Sequence, residues 1–178
     1  MRPDAHVDPI GTLPTMRVRL SVRGGARAWV DSETRARLRS AAVAMLQAAC
    51  REAGRRAELE LSLSLVDDGE MRRLNLAYRG LDRTTDVLSF AQREGEGGAC
   101  TSLLGDVVIS AETAKRHARS GDLQRELRRL LAHGLAHLLG HDHRTPAEAR
   151  SMRAHERALM RAASPARQQA VSRRTRGR

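Results

Sequence analysis

The stretch HGLAHLLGHDH, His133 to His143, predicts a helix, a sharp turn and a metal site together. His133 and His137 are four residues apart, so on a helix their imidazoles project from one face, one turn above the other. Gly140 is the residue type best able to end that helix in a left-handed conformation. The chain can then turn back and bring a third histidine to the same point, which leaves one coordination position of the metal open.

Two histidines compete for the third ligand position, His141 and His143. We prefer His143 because it leaves two residues after Gly140 for the turn. The predicted ligand set is therefore His133, His137 and His143. Zinc is the metal expected for such a set, although three imidazoles also suit nickel, cobalt or copper.

The two helical histidines lie away from the apolar side of their helix. On a helix from about residue 123 to 139, they occupy a strip rotated roughly 120° from the apolar stripe. That stripe consists of Leu127, Leu131, Gly134, Leu135 and Leu138. The histidines are thus expected to face a cleft and not the protein core.

Gly134 stands where a helical zinc protease carries its general base. In such a protease the residue after the first histidine is glutamate, and the frame His-x3-His-x2-Gly-x2-His is otherwise present in this chain. The missing base predicts metal chemistry other than ordinary peptide hydrolysis. A metzincin-like metalloprotease remains one alternative.

The charge of the chain favours a polyanionic partner. The 178 residues carry a net charge of +11, almost wholly from arginine, with Lys115 as the one lysine. Biased base composition in the genome explains the arginine-to-lysine ratio, but it does not explain the excess of bases over acids. RNA or DNA is the partner class that this charge predicts. With one Trp, one Tyr and one Phe, the composition argues against base-stacking platforms of the kind found in single-strand-binding proteins.

Length and composition indicate one cytoplasmic domain. The chain length suits a single core, and no run reaches the roughly 18 apolar residues of a membrane helix. The first fifteen residues contain no apolar run typical of a signal peptide, and two cysteines make no secreted disulfide framework. We expect a cytoplasmic protein without a membrane partner.

Hydrophobic periodicity predicts an α+β fold. Period-two alternation indicates strands over residues 16–22, 59–65, 86–90 and 106–110, and helical patterns with caps indicate about five helices. Ser32 is the predicted cap of the first helix. The expected architecture is a small mixed sheet of about four strands packed with about five helices, the metal site lying on a helix-turn. Residues 1–15 are predicted to be flexible, 16–162 to form a single catalytic metallo-domain, and 163–178 to be a basic disordered tail.

Several motifs occur in an order typical of one known family. They are NLAYRG at 75–80, TDVLSF at 85–90, LGDVVIS at 104–110 and the histidine run, with Met152 and Glu156 on the closing helix. Together they resemble the YbeY family of metal-dependent endoribonucleases, over roughly residues 18–159. The chain departs from the family at His141, where an aromatic residue is commoner, and at Ala91, which replaces a frequent proline.

The resemblance implies a site and a function. It implies one zinc ion per chain bound by His133, His137 and His143, with Arg79 as the catalytic residue that is not a ligand. It further implies cleavage of single-stranded RNA in ribosomal RNA maturation, including processing of the 16S rRNA 3′ end, and in ribosome quality control. The implied partners are single-stranded RNA, ribosomal RNA and the ribosomal small subunit.

Elementary chemistry agrees with these implied roles. A guanidinium such as Arg79 can clamp the non-bridging oxygens on which phosphodiester cleavage gathers charge. Asp142, between two histidines, is expected to orient a ligand through its second nitrogen. A non-catalytic ribosome assembly factor with a structural zinc is the other alternative, disfavoured because a structural zinc usually has a fourth ligand, often cysteine.

Overall fold

The chain folds around a mixed sheet of four strands. A computed structural model describes residues 15–53, 58–92 and 103–164. The strands are β1 (Met16–Val22), β2 (Leu59–Val66), β3 (Val87–Ala91) and β4 (Leu103–Ser110), in the order β1-β2-β4-β3. β1 and β4 both run parallel to β2, whereas β3 pairs antiparallel with β4. β3 is therefore an edge strand.

Five α-helices accompany the sheet in the described part of the chain. They are α1 (Ser32–Glu52), α2 (Asp68–Arg79), α3 (Ala111–His117), α4 (Leu123–Leu138) and α5 (Pro146–Ala162). Short 3-10 turns lie at Gly24–Ala28 and Arg119–Gly121. The predicted α+β fold with a small mixed sheet and about five helices is confirmed.

The predicted N-cap of α1, Ser32, is wrong by one residue. The carboxylate of Asp31 accepts a hydrogen bond from the Thr34 N–H at 2.7 Å. Asp31 is thus the N-cap of α1, and Ser32, the predicted cap, is its first helical residue. An acidic cap one position earlier serves the same need, because the first N–H groups of a helix have no partner within it.

The two faces of the sheet carry different helices. α1 and α4 pack on the face that presents Leu61, Leu63, Leu65, Val107 and Ile109, all fully buried, and α5 packs against these two helices. α2 packs on the opposite face through Met71 and Leu74, which contact Val66, Leu88, Val108 and Phe90. Alternate residues of a strand point to opposite faces, so the alternation of β2 and β4 separates these two cores. The histidine helix and α2 consequently lie on opposite sides of the sheet.

The ends of the predicted domain are partly described. Residues 1–14 and 165–178, which contain most of the predicted flexible segment and basic tail, lie outside the described residues, as does the Gly-rich stretch at 94–99. Ala163, placed in the tail by the sequence patterns, is 1% exposed and packs in the main core. Among the described helices, none has both the length and the apolarity needed to cross a membrane.

Candidate metal centre

Three histidines converge at the carboxyl end of α4. His133 and His137 lie one turn apart on α4, and His143 follows the turn that ends the helix. One ring nitrogen of each lies within 4.8 Å of the others, so all three can face a common point. The ring of His143 is 5.3 Å from that of His137 and 5.9 Å from that of His133, centroid to centroid. The structure thus brings together the three ligands predicted from the sequence.

The turn after α4 places His143 beside the other two histidines and places His141 against α5. Gly140 has a φ of +89°, and the N–H groups of Gly140 and His141 close the helix by donating to the carbonyls of His137 and Ala136. The ring of His141 stacks on that of His155 of α5, with centroids 4.2 Å apart. His141 therefore packs against α5, and the preference for His143 agrees with this geometry.

A carboxylate on α5 holds one of the ligands. Glu156 Oε1 lies 2.7 Å from His133 Nδ1. A carboxylate at that distance favours the tautomer with the proton on Nδ1, which leaves Nε2 with a lone pair for a metal. The contact joins residues 23 positions apart. The motif match at Glu156 marked the residue, but the pairing depends on how α5 packs against α4 and has no local sequence signal.

Asp142 has a different role from the one expected. Its Oδ1 accepts a hydrogen bond from the His143 N–H at 2.8 Å, and its Oδ2 lies 2.7 Å from Arg144 Nε. These contacts lower the pKa of Asp142, mainly through the backbone hydrogen bond. Asp142 thus shapes the backbone that carries His143, whereas Glu156 makes the contact with a ligand ring.

The surroundings of His137 favour the neutral form of its ring. Burial lowers the pKa of His137, and the neighbouring His133 and His143 lower it further by charge repulsion. Metal ions bind the neutral imidazole, so a lowered pKa extends the pH range over which the ligand is available. The half-buried position of His137 therefore suits a metal ligand.

Gly134 lies where α4 touches the sheet most closely. A Cβ built on Gly134 would come within 2.8 Å of Val107 Cγ1 and 3.1 Å of Ser89 Oγ. Carbon atoms normally stay about 3.5 Å or more apart, so even a methyl group requires a shift. A glutamate side chain at this position would also start toward the sheet and not toward the histidines. The packing of α4 therefore excludes the peptidase general base that the sequence already lacks.

Arg129 adds a cation that sequence reasoning missed. It precedes His133 by four residues on α4, hence on the same face. Its guanidinium bonds to Glu126 at 2.7 Å and lies 3.7 Å from Asp86 Oδ2. The hydrogen bonds that Arg129 donates to the Glu126 carboxylate raise the pKa of Arg129, and half of its side chain stays exposed. A guanidinium held by carboxylates thus lies on the histidine face of the helix.

Arg79 lies across the sheet from the histidines. It is the last residue of α2 and is exposed, and Gly80 ends the helix with a φ of +68°. Among the described residues, no contact joins Arg79 to the histidine cluster. The end of α2 nevertheless lies against the edge strand, since the ring of Tyr78 is 4.9 Å from that of Phe90 of β3. Among the described residues, β3 contacts both this helix end and α4.

Fold and site together define the class of protein. Beside the mixed sheet, one helix and its following turn supply three histidines, and a carboxylate lies behind one of the rings. Such an arrangement is typical of a catalytic metal centre with an open coordination position.

Comparisons with known proteins identify the family. The family model described as Endoribonuclease YbeY matches residues 28–164. A protein named Endoribonuclease YbeY from Anaeromyxobacter dehalogenans is 50% identical over 128 residues, which cover 71% of this chain and 63% of that protein. A protein of the same name from Myxococcus xanthus is 52% identical over 57% of this chain and 36% of its own length. Another, from Moorella thermoacetica, is 46% identical over 65% of this chain and 80% of its own length. The chain belongs to the YbeY family.

The matches differ in what they cover. The aligned segment spans less than two thirds of the Anaeromyxobacter and Myxococcus proteins. The fold is also similar to the solution structure of a Thermotoga maritima protein, with a TM-score of 0.52 and 21% identity over 82% of this chain and 88% of that one. Neither the metalloprotease alternative nor the assembly-factor alternative has support in these relatives.

Proposed function

We propose that this protein is a zinc-dependent endoribonuclease that cleaves single-stranded RNA. The observation that carries the proposal is the convergence of His133, His137 and His143 within 4.8 Å in a chain of the YbeY family. The name of the matched family supports RNA as the substrate, and so does the net charge of +11.

The residues present fit a zinc ion. His133, His137 and His143 would hold it, since three imidazoles are a common zinc ligand set in catalytic sites. Glu156 orients the first ring, and burial lowers the pKa of His137, which favours the neutral form that binds metal. When bound, zinc supplies a Lewis acid for phosphodiester cleavage.

The chain itself supplies the charges that bind the phosphates. Arg129 presents a guanidinium on the histidine face of α4, fixed by Glu126. On the other side of β3, Arg79 ends α2 with an exposed guanidinium. An RNA strand that crosses the edge of the sheet at β3 would meet the exposed guanidinium of Arg79 and pass the carboxylate-paired guanidinium of Arg129. In line with the family resemblance, we assign to Arg79 the binding of phosphate oxygens of that RNA strand.

The physiological substrate that we propose is ribosomal RNA. The family resemblance supports a role in ribosomal RNA maturation, including the 3′ end of 16S rRNA, and in ribosome quality control at the small subunit. The cytoplasm is the location that this substrate implies.

An assay on three substrates tests the proposal. Zinc-loaded wild type, His137→Ala and Arg79→Ala are incubated with unstructured RNA, structured RNA and casein, with His141→Ala as the matched control. We expect wild type and His141→Ala to cut unstructured RNA, and the other two variants to lose at least about a hundredfold in rate. The proposal fails if casein is cut and RNA is not, or if RNA cleavage survives both His137→Ala and Arg79→Ala.

A further inference from the structure

Large apolar side chains are exposed at the carboxyl end of α2. Tyr78 is 67% exposed, and Leu76 and Leu81 beside it are 49% and 43% exposed. The Tyr78 ring is held against the ring of Phe90, at a centroid distance of 4.9 Å and an interplanar angle of 59°. Phe90 packs into the smaller core, so one aromatic residue braces the other. The outer surface of the Tyr78 ring is open to solvent and fixed in place.

The charge around Tyr78 is positive and available. Arg79 follows it directly, and Arg83 lies in the loop beyond. Among the described residues, no carboxylate pairs with either guanidinium, whereas Arg72 and Arg73 on the same helix pair with Asp82 and Glu70. An occupant of this surface therefore has an apolar, planar part and carries negative charge. Single-stranded RNA has both properties in each nucleotide.

Tyr78 lies close enough to the histidines for one RNA strand to contact both. Phe90 follows Ser89 in β3, and adjacent residues of a strand point to opposite faces. Ser89 points to Gly134 of α4, where a Cβ would lie 3.1 Å from its hydroxyl oxygen. Gly134 is next to His133. The Tyr78 ring and the histidine cluster are thus separated by one edge strand.

From this placement we propose that Tyr78 stacks on an unpaired nucleobase of the bound RNA, close to the phosphate contacts of Arg79. The inference rests on the proposed function and adds a base-binding subsite to it. The low aromatic content of the chain argues against an extended base-stacking platform, but its single Tyr and its single Phe are in contact and can form one stacking site. A stacking contact prefers unpaired bases, so this subsite selects single-stranded over duplex RNA and is tolerant of sequence.

Binding measurements on full-length, zinc-loaded protein test the subsite. Tyr78→Ala is expected to weaken binding of a single-stranded RNA oligonucleotide about 5- to 150-fold, the range that loss of one base–aromatic stack gives. Tyr78→Phe keeps the ring and stays within about twofold of wild type, as does the control Ser32→Ala, an exposed residue of α1 on the opposite face of the sheet. Because Tyr78 is mostly exposed, thermal unfolding is expected to be almost the same for all four proteins.

An abasic oligonucleotide separates stacking from other causes of lost affinity. An RNA with the same backbone and no bases is expected to bind wild type and Tyr78→Ala almost equally. A spectroscopic measurement adds a direct readout, since Trp29→Phe leaves Tyr78 as the only tyrosine or tryptophan in the chain. Its emission is expected to be quenched by the normal RNA and not by the abasic one.

The outcomes distinguish the subsite from the proposed function. RNA cleavage by wild type with unchanged affinity in Tyr78→Ala overturns the subsite alone. A loss of affinity that is equal with normal and abasic RNA also overturns it, because the effect then comes from backbone contacts. Binding of RNA that depends on Tyr78, without any cleavage by zinc-loaded wild type, supports the subsite and contradicts the proposed nuclease activity.

Discussion

The substitution Gly134→Ala tests quantitatively how closely α4 packs against the sheet. In Gly134→Ala, the new methyl group lies 2.8 Å from Val107 Cγ1 and 3.1 Å from both Ser89 Oγ and Val107 Cγ2. The shortest of these contacts is about 0.7 Å inside normal carbon–carbon separation. Val107 is fully buried and β-branched, so it has little freedom to turn away.

Two opposing effects decide the stability of Gly134→Ala. Replacing glycine by alanine inside a helix stabilises a protein by about 1 kcal/mol, whereas overpacking a core costs about 1–3 kcal/mol. The clash wins, and the net loss in free energy of unfolding is expected to be about 1 kcal/mol, or a Tm lower by about 2–4 °C. Zinc affinity should fall as well, because His133 is the adjacent residue.

Urea unfolding of matched variants checks this reasoning. Gly69→Ala in α2 is the control, since its Cβ would meet only Asp67 Oδ1 at an ordinary 3.4 Å; it is expected to be neutral or stabilising. In a Val107→Ala background, where the opposing methyl groups are gone, Gly134→Ala should change sign and stabilise by up to about 1 kcal/mol. A stabilising Gly134→Ala in the wild-type background would refute the close packing.

Three further predictions concern the ligand set, its support and a distant charge network. His143→Ala should remove most of the zinc affinity measured by competition with a chelating dye, whereas His141→Ala should keep it; the reverse order would exchange the third ligand. Glu156→Ala should weaken zinc binding about 10- to 100-fold, and Glu156→Gln should weaken it less, because the amide oxygen still accepts the hydrogen bond. Equal zinc affinity in wild type and both variants would show that this carboxylate does not support the metal site. Burial raises the pKa of Asp68, but hydrogen bonds from two hydroxyls and from Arg116 outweigh it, so the pKa lies below 3.8. The stability that the ionised carboxylate contributes is present above pH 3.8 and is lost as pH falls through the lowered pKa. In urea unfolding, Asp68→Asn should therefore lower the free energy of unfolding by about 1–2 kcal/mol at neutral pH and by less at about pH 3. A loss that is independent of pH would contradict the ionic origin of this stability.

Local sequence patterns predicted the elements of the fold well. The alternation of Leu59, Leu61, Leu63 and Leu65 indicates a half-buried strand, because side chains of a strand alternate between two faces. The four-residue spacing of His133 and His137 places both on one helix face for a similar reason. These periodicities are properties of single elements and need no knowledge of their neighbours.

Contacts between distant elements were beyond these patterns. The insertion of β4 between β2 and β3, and the hydrogen bond between His133 and Glu156 of α5, depend on tertiary packing. The space at Gly134 is likewise set by Val107 on another strand. Arg79 illustrates the same limit, because its motif marked the residue but did not place α2 on the face of the sheet opposite to the histidines.

The proposed activity requires that metal bound by the three histidines drives RNA cleavage. Metal-free protein is titrated with zinc, and the initial rate of cleavage of an end-labelled single-stranded RNA is measured at each step. The rate is expected to rise linearly to one zinc per chain and then level off, and His137→Ala is expected to give no such rise. A cleavage rate that is independent of zinc, or equal in His137→Ala, would contradict the proposed activity.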